Sequence, residues 1–407
     1  MDKKQTLRYF SVLQALYFAA TGLWSYVNIY LRELGFTGQQ LGNITAVATF
    51  SAIVLLPMTG MLADKLRSPK RVFSWAVCIL LPMFLLYPVL GGIYGARLIP
   101  ILLLSAVLRV CNQVAGSSLE SWNGMEMERI GVSYGVIRRF GSLGFVFMCL
   151  VATALVGPVL PSWSCCVIMP LVGLPLMLML RKPGTEMAMA ATATTEKFSG
   201  KKVLRYVFCN YYFLVFLLLH LAFSAFQGTV NLCLSYLMDY AGASRSSLGI
   251  VSSVRAGVEI VAMFWLSSAK RKPPHWVILG IACMLVAVEH LIYPWMTSLP
   301  LMVAASLLTG FGGGLYFGIS ANFVLQIVDC RAASTAMAVL GVVKAAAAIV
   351  GTAWGGGIID RYGVTTLTTG VGLLTVVLTA VFLGACFLGR VLWKKPYHSE
   401  KTETSVL

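Results

Sequence analysis

Long apolar runs, most of them broken only by single charged residues, fill the chain from Leu7 to about Trp393. A run of about 20 such residues is long enough to cross the hydrocarbon of a bilayer as a helix. Hydrophobic residues make up 58% of the 407 residues and charged residues 11%, whereas a soluble protein is roughly a quarter charged. One soluble core cannot hide that much apolar surface. We therefore predict an all-α membrane protein.

The apolar runs can be divided into twelve predicted transmembrane helices. They cover residues 8–31, 39–62, 72–94, 97–122, 136–158 and 163–180, and then 206–237, 247–268, 275–297, 299–327, 332–358 and 365–392. The first is no signal peptide, because it is too long and lacks a small-residue cleavage site. A small, polar stretch follows the sixth helix. We predict a six-helix bundle over 1–183, a linker over 184–205, a second bundle over 206–393 and a tail over 394–407.

The basic residues give the orientation. Most of the 31 Lys and Arg residues fall in segments that lie on the same side as the N-terminus. The segments on the other side hold Arg32, Arg97, Arg245 and Arg361. Because cytoplasmic segments are rich in Lys and Arg, we predict a plasma-membrane protein with both termini and the linker in the cytoplasm. The net charge of +16 is then a topology signal, and we expect lipid, not nucleic acid, around the chain.

The sequence shows no sign of catalysis or of a cofactor. Its ten cysteines lie in or beside apolar runs at no ligand-like spacing, which favours small core residues over a disulfide framework or a metal site. There is no nucleotide-binding loop and no channel filter. We expect neither an enzyme nor a channel, and no cofactor.

Charged residues inside the predicted helices point to a solute pathway, because such charges cost several kcal/mol unless they are paired or wetted. Arg109 and Glu120 are eleven residues apart and share a helix face. Arg109 could neutralise Glu120 or extend a polar wall. Arg255 and Glu259 are four apart, so Glu259 could be a functional site or half of a self-contained ion pair.

Glu289 and His290 are adjacent in the ninth predicted helix. A carboxylate beside a group that titrates near neutrality suits proton exchange. The alternative is a polar pair at a helix end. Adjacent helical residues point about 100° apart, so both cannot face a cavity fully.

The loop between the second and third predicted helices, residues 60–71 (GMLADKLRSPKR), resembles the signature of the major facilitator superfamily, G-x-L-x-D-[RK]-x-G-[RK]-[RK]. The second glycine is replaced by Arg67. The resemblance implies two six-helix halves and a gate formed by Gly60, Asp64, Lys65 and Arg71; the alternative is a merely topogenic basic loop. A related pattern at 356–363 (GGIIDRYG) ends the eleventh helix, as either a second such turn or an ordinary helix end.

The junction of the fourth and fifth helices is more specific. Glu120 is followed eighteen residues later by Arg138, and 138–145 reads RRFGSLGF. This arrangement resembles the lactose permease branch and the proton-coupled nucleoside symporters. The resemblance implies that Arg138 contacts substrate and that Phe145 offers a stacking face. It also implies that Glu120 accepts hydrogen bonds from substrate or pairs with Arg138, and a purely structural bridge between the two stays open.

Two further residues match that branch. A Glu in the eighth helix recurs there, so Glu259 resembles a substrate or proton site, and Lys344 matches a Lys in the eleventh helix. The His and Glu pair of the tenth helix in lactose permease is absent, since residues 309–312 read TGFG. We therefore predict proton coupling through Glu259, with Glu289 or His290 assisting, and substrate contacts at Glu120, Arg138, Phe145, Arg109 and Lys344.

Together these features predict a monomeric secondary transporter that moves a small polar solute with protons by alternating access. An efflux antiporter is the alternative. It should carry a Gly-Pro signature in the middle of the fifth helix, whereas Gly157 and Pro158 fall at its end. A sensor with this fold would need an appended soluble domain, and the predicted tail is too short to be one.

Overall fold

A computed structural model of the protein describes residues 3–66, 68–132, 135–180, 208–268, 273–328 and 330–392. Within these ranges, the side chains of residues 56–66, 135, 231, 267, 330–334 and 391–392 are not described. The predicted linker and tail lie outside the described residues. Ten helical segments in the described part are long and apolar enough to span a membrane, and every one of the twelve predicted spans overlaps a helix.

Eight α-helices lie in the described residues of the first half. They are α1 (Lys3–Gly22), α2 (Trp24–Glu33), α3 (Gly38–Leu66), α4 (Pro69–Met83), α5 (Leu86–Tyr94), α6 (Leu98–Arg129), α7 (Gly135–Leu155) and α8 (Cys165–Leu180). The first and third predicted spans are each two helices, not one. The break at Leu23 separates α1 from α2, and Pro82 lies just before the break between α4 and α5, where its missing N–H interrupts the hydrogen-bond ladder.

In the part of the second half that the structure describes, there are six α-helices. They are α9 (Tyr211–Tyr240), α10 (Leu248–Ser268), α11 (His275–Ile292), α12 (Leu299–Ile327), α13 (Cys330–Tyr362) and α14 (Val364–Phe387).

The two halves repeat the same packing. When the helices are numbered by membrane span, span 1 of the first half packs on spans 5 and 6. Span 4 packs on spans 2 and 3, and span 3 packs on span 6. The second half packs α9 on α13, α10 on α12, α11 on α12, α11 on α14 and α9 on α14, which is the same set of pairs. This is the parallel repeat that the resemblance to the major facilitator fold implies, and the prediction of an all-α membrane protein is confirmed, with ten described segments long and apolar enough to span a membrane.

The halves are joined at one end of the bundle, which we call the lock end. There α3 packs on α13, α7 on α10 and α2 on α9. A buried apolar cluster of the first half continues into the second half through residues such as Leu237, Leu248 and Ile359. The remaining core of the second half forms a separate cluster. Within the described residues, buried apolar packing therefore holds the halves together at the lock end. The first and last residues that the structure describes, Lys3 and Leu392, lie at the opposite end.

Small residues allow this close approach. A Cβ atom added to Gly42 would lie 2.2 Å from the backbone oxygen of Thr352, and one on Gly356 would lie 2.1 Å from that of Gly38. Helices α3 and α13 thus touch backbone to backbone, which side chains larger than Gly would prevent.

Candidate functional site

A polar cavity of about 230 Å³ lies beside the boundary between the halves. Phe145 of α7 contributes from the first half, and α9, α10 and α12 supply the rest of the wall. Its polar lining residues are Gln227, Ser252, Arg255, Glu259 and Thr309. The prediction that Phe145 and Glu259 face one site is consistent with this geometry, and the cavity is of a size that suits part of a small solute.

Arg138 stands opposite Glu259 across the boundary. Its guanidinium carbon lies 4.4 Å from the centre of the Phe18 ring, a cation–π contact that orients the group. Arg138 is also the charged residue whose electrostatic field acts on Glu259. Within the described residues Arg138 forms no ion pair with Glu120, so the structure gives no support to a purely structural bridge between the two. Arg138 belongs to the first half and Glu259 to the second, so the attraction between them depends on the relative position of the two halves.

A second group of charges also spans the boundary. Glu120 of α6 and Lys344 of α13 are exposed although both lie well inside their helices, and Arg109 is half-buried. The charges of Arg109 and Glu120 both act on the ammonium group of Lys344. Tyr17 lies among them and donates to the side-chain oxygen of Asn112 at 3.1 Å. Arg109 and Glu120 thus belong to one polar wall, and Lys344 approaches that wall from the other half.

The structure does not show the alternative in which Arg255 and Glu259 form an ion pair of their own. Arg255 Nη2 instead donates to Glu289 Oε1 at 2.5 Å. It also donates to the hydroxyl of Tyr293, which in turn donates to Glu289. Because Tyr293 directly follows α11 and lies four residues after Glu289, both side chains reach the same guanidinium. Glu259 is left to face the cavity without an ion-pair partner within 4 Å in the described residues.

His290 occupies a different environment from Glu289. It is 2% exposed, its ring centre lies 4.5 Å from that of Phe226 and 5.2 Å from that of Tyr293, and it is not among the residues that line the cavity. Its Nδ1 lies 3.2 Å from the backbone oxygen of Val286. This is the packing of a core histidine.

The predicted gate residues can be placed only in part. Gly60, Asp64 and Lys65 fall in the last turns of α3, where the side chains lie outside the described residues. Arg71 is exposed in the first turn of α4, whose N-terminal residue Pro69 follows the Ser68 cap. All four lie at the end of the bundle opposite the lock end.

The lock end carries a charge network that the sequence did not suggest. Arg32 Nη2 donates to Asp239 Oδ2 at 2.6 Å, and Arg245 Nε donates to Asp239 Oδ1 at 2.8 Å. Arg32 also lies over the Tyr236 ring, with its guanidinium carbon 3.7 Å from the ring centre. We call Arg32, Asp239 and Arg245 the charge lock, because Arg32 comes from the first half and its partners from the second.

Asp360 joins the halves in a second way. Its two carboxylate oxygens each accept a hydrogen bond of 2.8 Å, one from the backbone N–H of Gly38 and one from that of Gln39. Thr37 and Gln40 cap the same helix reciprocally, as a capping box. The carboxylate of one half thus caps a helix of the other, where the helix dipole favours negative charge. The 356–363 pattern is therefore more than an ordinary helix end.

The charge lock should not respond to pH near neutrality. Burial alone would raise the pKa of Asp239, but hydrogen bonds and positive charge from Arg245 and Arg32 outweigh it and hold the pKa below its ordinary value. A carboxyl with a lowered pKa stabilises the locked state above about pH 4, and this contribution is lost as the pH falls through the lowered value. Ser246 is buried at this boundary, so a cysteine in its place can report opening of the lock. We expect a thiol reagent to label Ser246→Cys slowly, at a corrected rate that is the same from about pH 5 to 8.

The control for that measurement is a cysteine at Ala96, which is exposed and corrects for the pH dependence of thiol chemistry. Asp239→Asn should raise the labelling of Ser246→Cys severalfold at every pH. A labelling ratio that climbs between pH 8 and pH 5 in the unaltered lock would contradict the expectation.

Two packed six-helix repeats with a charged cavity at their boundary define a membrane transporter of the major facilitator superfamily. The sequence matches the MFS_1-like family over residues 7–369, and the chain belongs to that family. Its relatives are transporters and not enzymes.

Individual relatives agree with this assignment. The uncharacterized transporter YwbF of Bacillus subtilis (strain 168) is 25% identical over 361 residues, 83% of each chain. The sucrose permease of Escherichia coli is 29% identical over 147 residues, 34% of each chain. Among solved structures, a mutant of the nucleoside transporter NupG superposes with a TM-score of 0.79 at 15% identity, covering 93% of this chain and 99% of that one. That last likeness shows the fold.

Proposed function

We propose that the protein is a proton-coupled symporter of a small, uncharged, polar solute, which it binds between its halves as a monomer. The observation that carries this proposal is a cavity lined by Phe145 of the first half and Glu259 of the second, beside the contact of α10 with α7, the helix that carries Arg138. A site shared by both halves is the arrangement that alternating access requires. The names of two similar proteins, a sucrose permease and a nucleoside transporter, support a polar solute.

The charges near the cavity favour an uncharged solute. Arg138 is compensated by Glu259, and Arg255 by Glu289. The hydroxyl of Thr309, which also lines the cavity, is buried and makes no hydrogen bond within the described residues. A solute rich in hydroxyl and carbonyl groups gains from such donors and acceptors, whereas an ionic solute would have to displace an existing partner.

We assign the proton to Glu259. Its counter-charge lies in the other half, so movement of the halves changes the electrostatic environment of the carboxylate, and protonation is thereby linked to conformation. Glu289 is engaged by Arg255 and Tyr293, and His290 is packed in the core away from the cavity. The proposed proton pathway therefore includes neither Glu289 nor His290 as an assisting site.

We propose that the lock end faces outward, so that the structure is closed to the outside and opens toward the cytoplasm. The distribution of basic residues along the sequence supports this orientation. A cysteine at Ala96, near the lock end, should react with an impermeant thiol reagent in intact cells. A cysteine at Pro273, at the opposite end and also exposed, should react only after permeabilisation. The reverse pattern would invert the proposed topology.

The solute class can be tested by a thermal-shift screen of the purified protein. The panel should pair neutral compounds with acidic counterparts: glucose with glucuronate, and uridine with orotidine, with sucrose added. A solute at 100 times its dissociation constant stabilises the folded state by about 2.7 kcal/mol. We expect at least one neutral compound to raise the melting temperature and its acidic counterpart not to. Stabilisation by acids alone would overturn the proposed class.

A further inference from the structure

Arg255 is fixed in the cavity wall by two partners on one helix. Its Nη2 atom donates to Glu289 and to Tyr293, and Tyr293 donates to the same oxygen of Glu289. Glu289 is 0% and Tyr293 2% exposed. Because these contacts already restrict the guanidinium, little rotational freedom is left to lose when a further group binds it.

The wall also holds donors that the protein itself does not use. Arg255 Nε and the hydroxyl of Thr309 are both buried, and neither makes a hydrogen bond to any residue that the structure describes. Both residues line the cavity. Buried donors are costly to leave unpaired, so two of them on one cavity wall indicate a place for an acceptor.

Close helix packing brings these groups together. A Cβ atom added to Gly310 would lie 2.8 Å from the backbone oxygen of Arg255 and 2.9 Å from Val258 Cβ, so α12 touches α10 at this level. Thr309 directly precedes Gly310, and its backbone lies next to the Glu289 carboxylate. Arg255, Glu289 and Thr309 are therefore neighbours in the wall.

We propose that Arg255 and Thr309 form a substrate subsite that receives a hydroxyl or carbonyl oxygen of the solute, with Glu289 and Tyr293 as positioning residues. Because Glu289 already compensates the charge of Arg255, the subsite offers hydrogen-bond donors without net charge. The inference rests on the proposed function, since it requires that the solute enter this cavity.

The test is the dissociation constant of the full-length purified protein for glucose and for uridine. Thr309→Val removes the hydroxyl at nearly constant volume, and Arg255→Lys keeps the charge but removes Nε. Each should weaken binding of the recognised probe about tenfold, the effect of one lost hydrogen bond to a charged or buried group. The matched controls are Thr375→Val, whose hydroxyl donates to the Val371 backbone, and Arg97→Lys, which is exposed. Both should bind within about twofold of the wild type.

A further variant separates positioning from mere structural support. Glu289→Gln keeps the hydrogen-bonding capacity of the side chain but leaves the charge of Arg255 uncompensated. We expect it to gain affinity for glucuronate relative to glucose, or for orotidine relative to uridine, by about tenfold. A structural residue would not change this selectivity.

The outcomes distinguish the two proposals. If the wild type binds a neutral probe and both Thr309→Val and Arg255→Lys bind it unchanged, the subsite is overturned and the proposed function stands. If the wild type binds none of the probes, the proposed function fails and the subsite with it. Comparison of ligand-free melting temperatures with those of the control variants shows whether a variant has lost its fold.

Discussion

Arg138→Ala should abolish uptake without loss of the protein from the membrane. The substitution removes the guanidinium that lies over Phe18 and faces Glu259 across the boundary. A charge-assisted hydrogen bond to solute contributes about 1.5–3 kcal/mol, which alone weakens binding by roughly ten- to a hundredfold. In addition, Glu259 would lose its counter-charge. The measurement is initial uptake rate together with membrane expression.

The adjacent residue provides the matched control for that result. Arg139 is exposed and its Nε donates to the backbone oxygen of Val136, so it faces away from the boundary site. Arg139→Ala should retain uptake within about twofold of the wild type. Uptake by Arg138→Ala at the wild-type rate would reduce the residue to a structural one.

Glu259→Gln should uncouple transport from the proton gradient. The amide keeps the shape and hydrogen-bonding capacity of the carboxyl group but cannot carry a proton through the cycle. In proteoliposomes the variant should lose gradient-driven accumulation, by tenfold or more, and keep exchange of internal for external solute. Glu128→Gln, exposed in the last turn of α6, should retain both activities.

Two results would contradict the assignment of the transported proton to Glu259. Accumulation that persists in Glu259→Gln would show that another group carries the proton. Accumulation by the wild type that requires sodium and does not depend on pH would remove proton coupling altogether.

The sequence predicted the spans well because each one is a long apolar segment, and the length of such a segment is set by the bilayer. A glycine at which two helices approach closely is likewise a feature of a single position. In the structure a Cβ atom added to Gly314 would lie 2.5 Å from the backbone oxygen of Glu259. Each of these features depends on a single helix or a single small residue, and it can therefore be predicted from the amino-acid sequence alone.

Partners between helices were not predictable in the same way. The spacing of Arg255 and Glu259 indicates an ion pair within one helix, but packing turns Arg255 toward Glu289 on α11. The rotation of each helix about its axis decides such a choice, and it depends on the whole bundle. The partners of Asp239 and Asp360 were missed for the same reason. Each lies near a helix end, where an acidic residue is unremarkable until its partner in the other half is known.

The central claim is that solute passes between halves that open alternately at the two ends. Cysteines in place of Arg32 and Asp239 put a reactive pair across the lock end, and a short bifunctional thiol reagent can bridge them. The matched controls are the two single variants treated in the same way, which account for the native cysteines.

Cross-linking the double variant should stop uptake in proteoliposomes, while binding of the solute to detergent-solubilised protein is retained through the open end, and a cleavable linker should restore uptake on reduction. Full uptake by the cross-linked protein would contradict alternating access at this boundary.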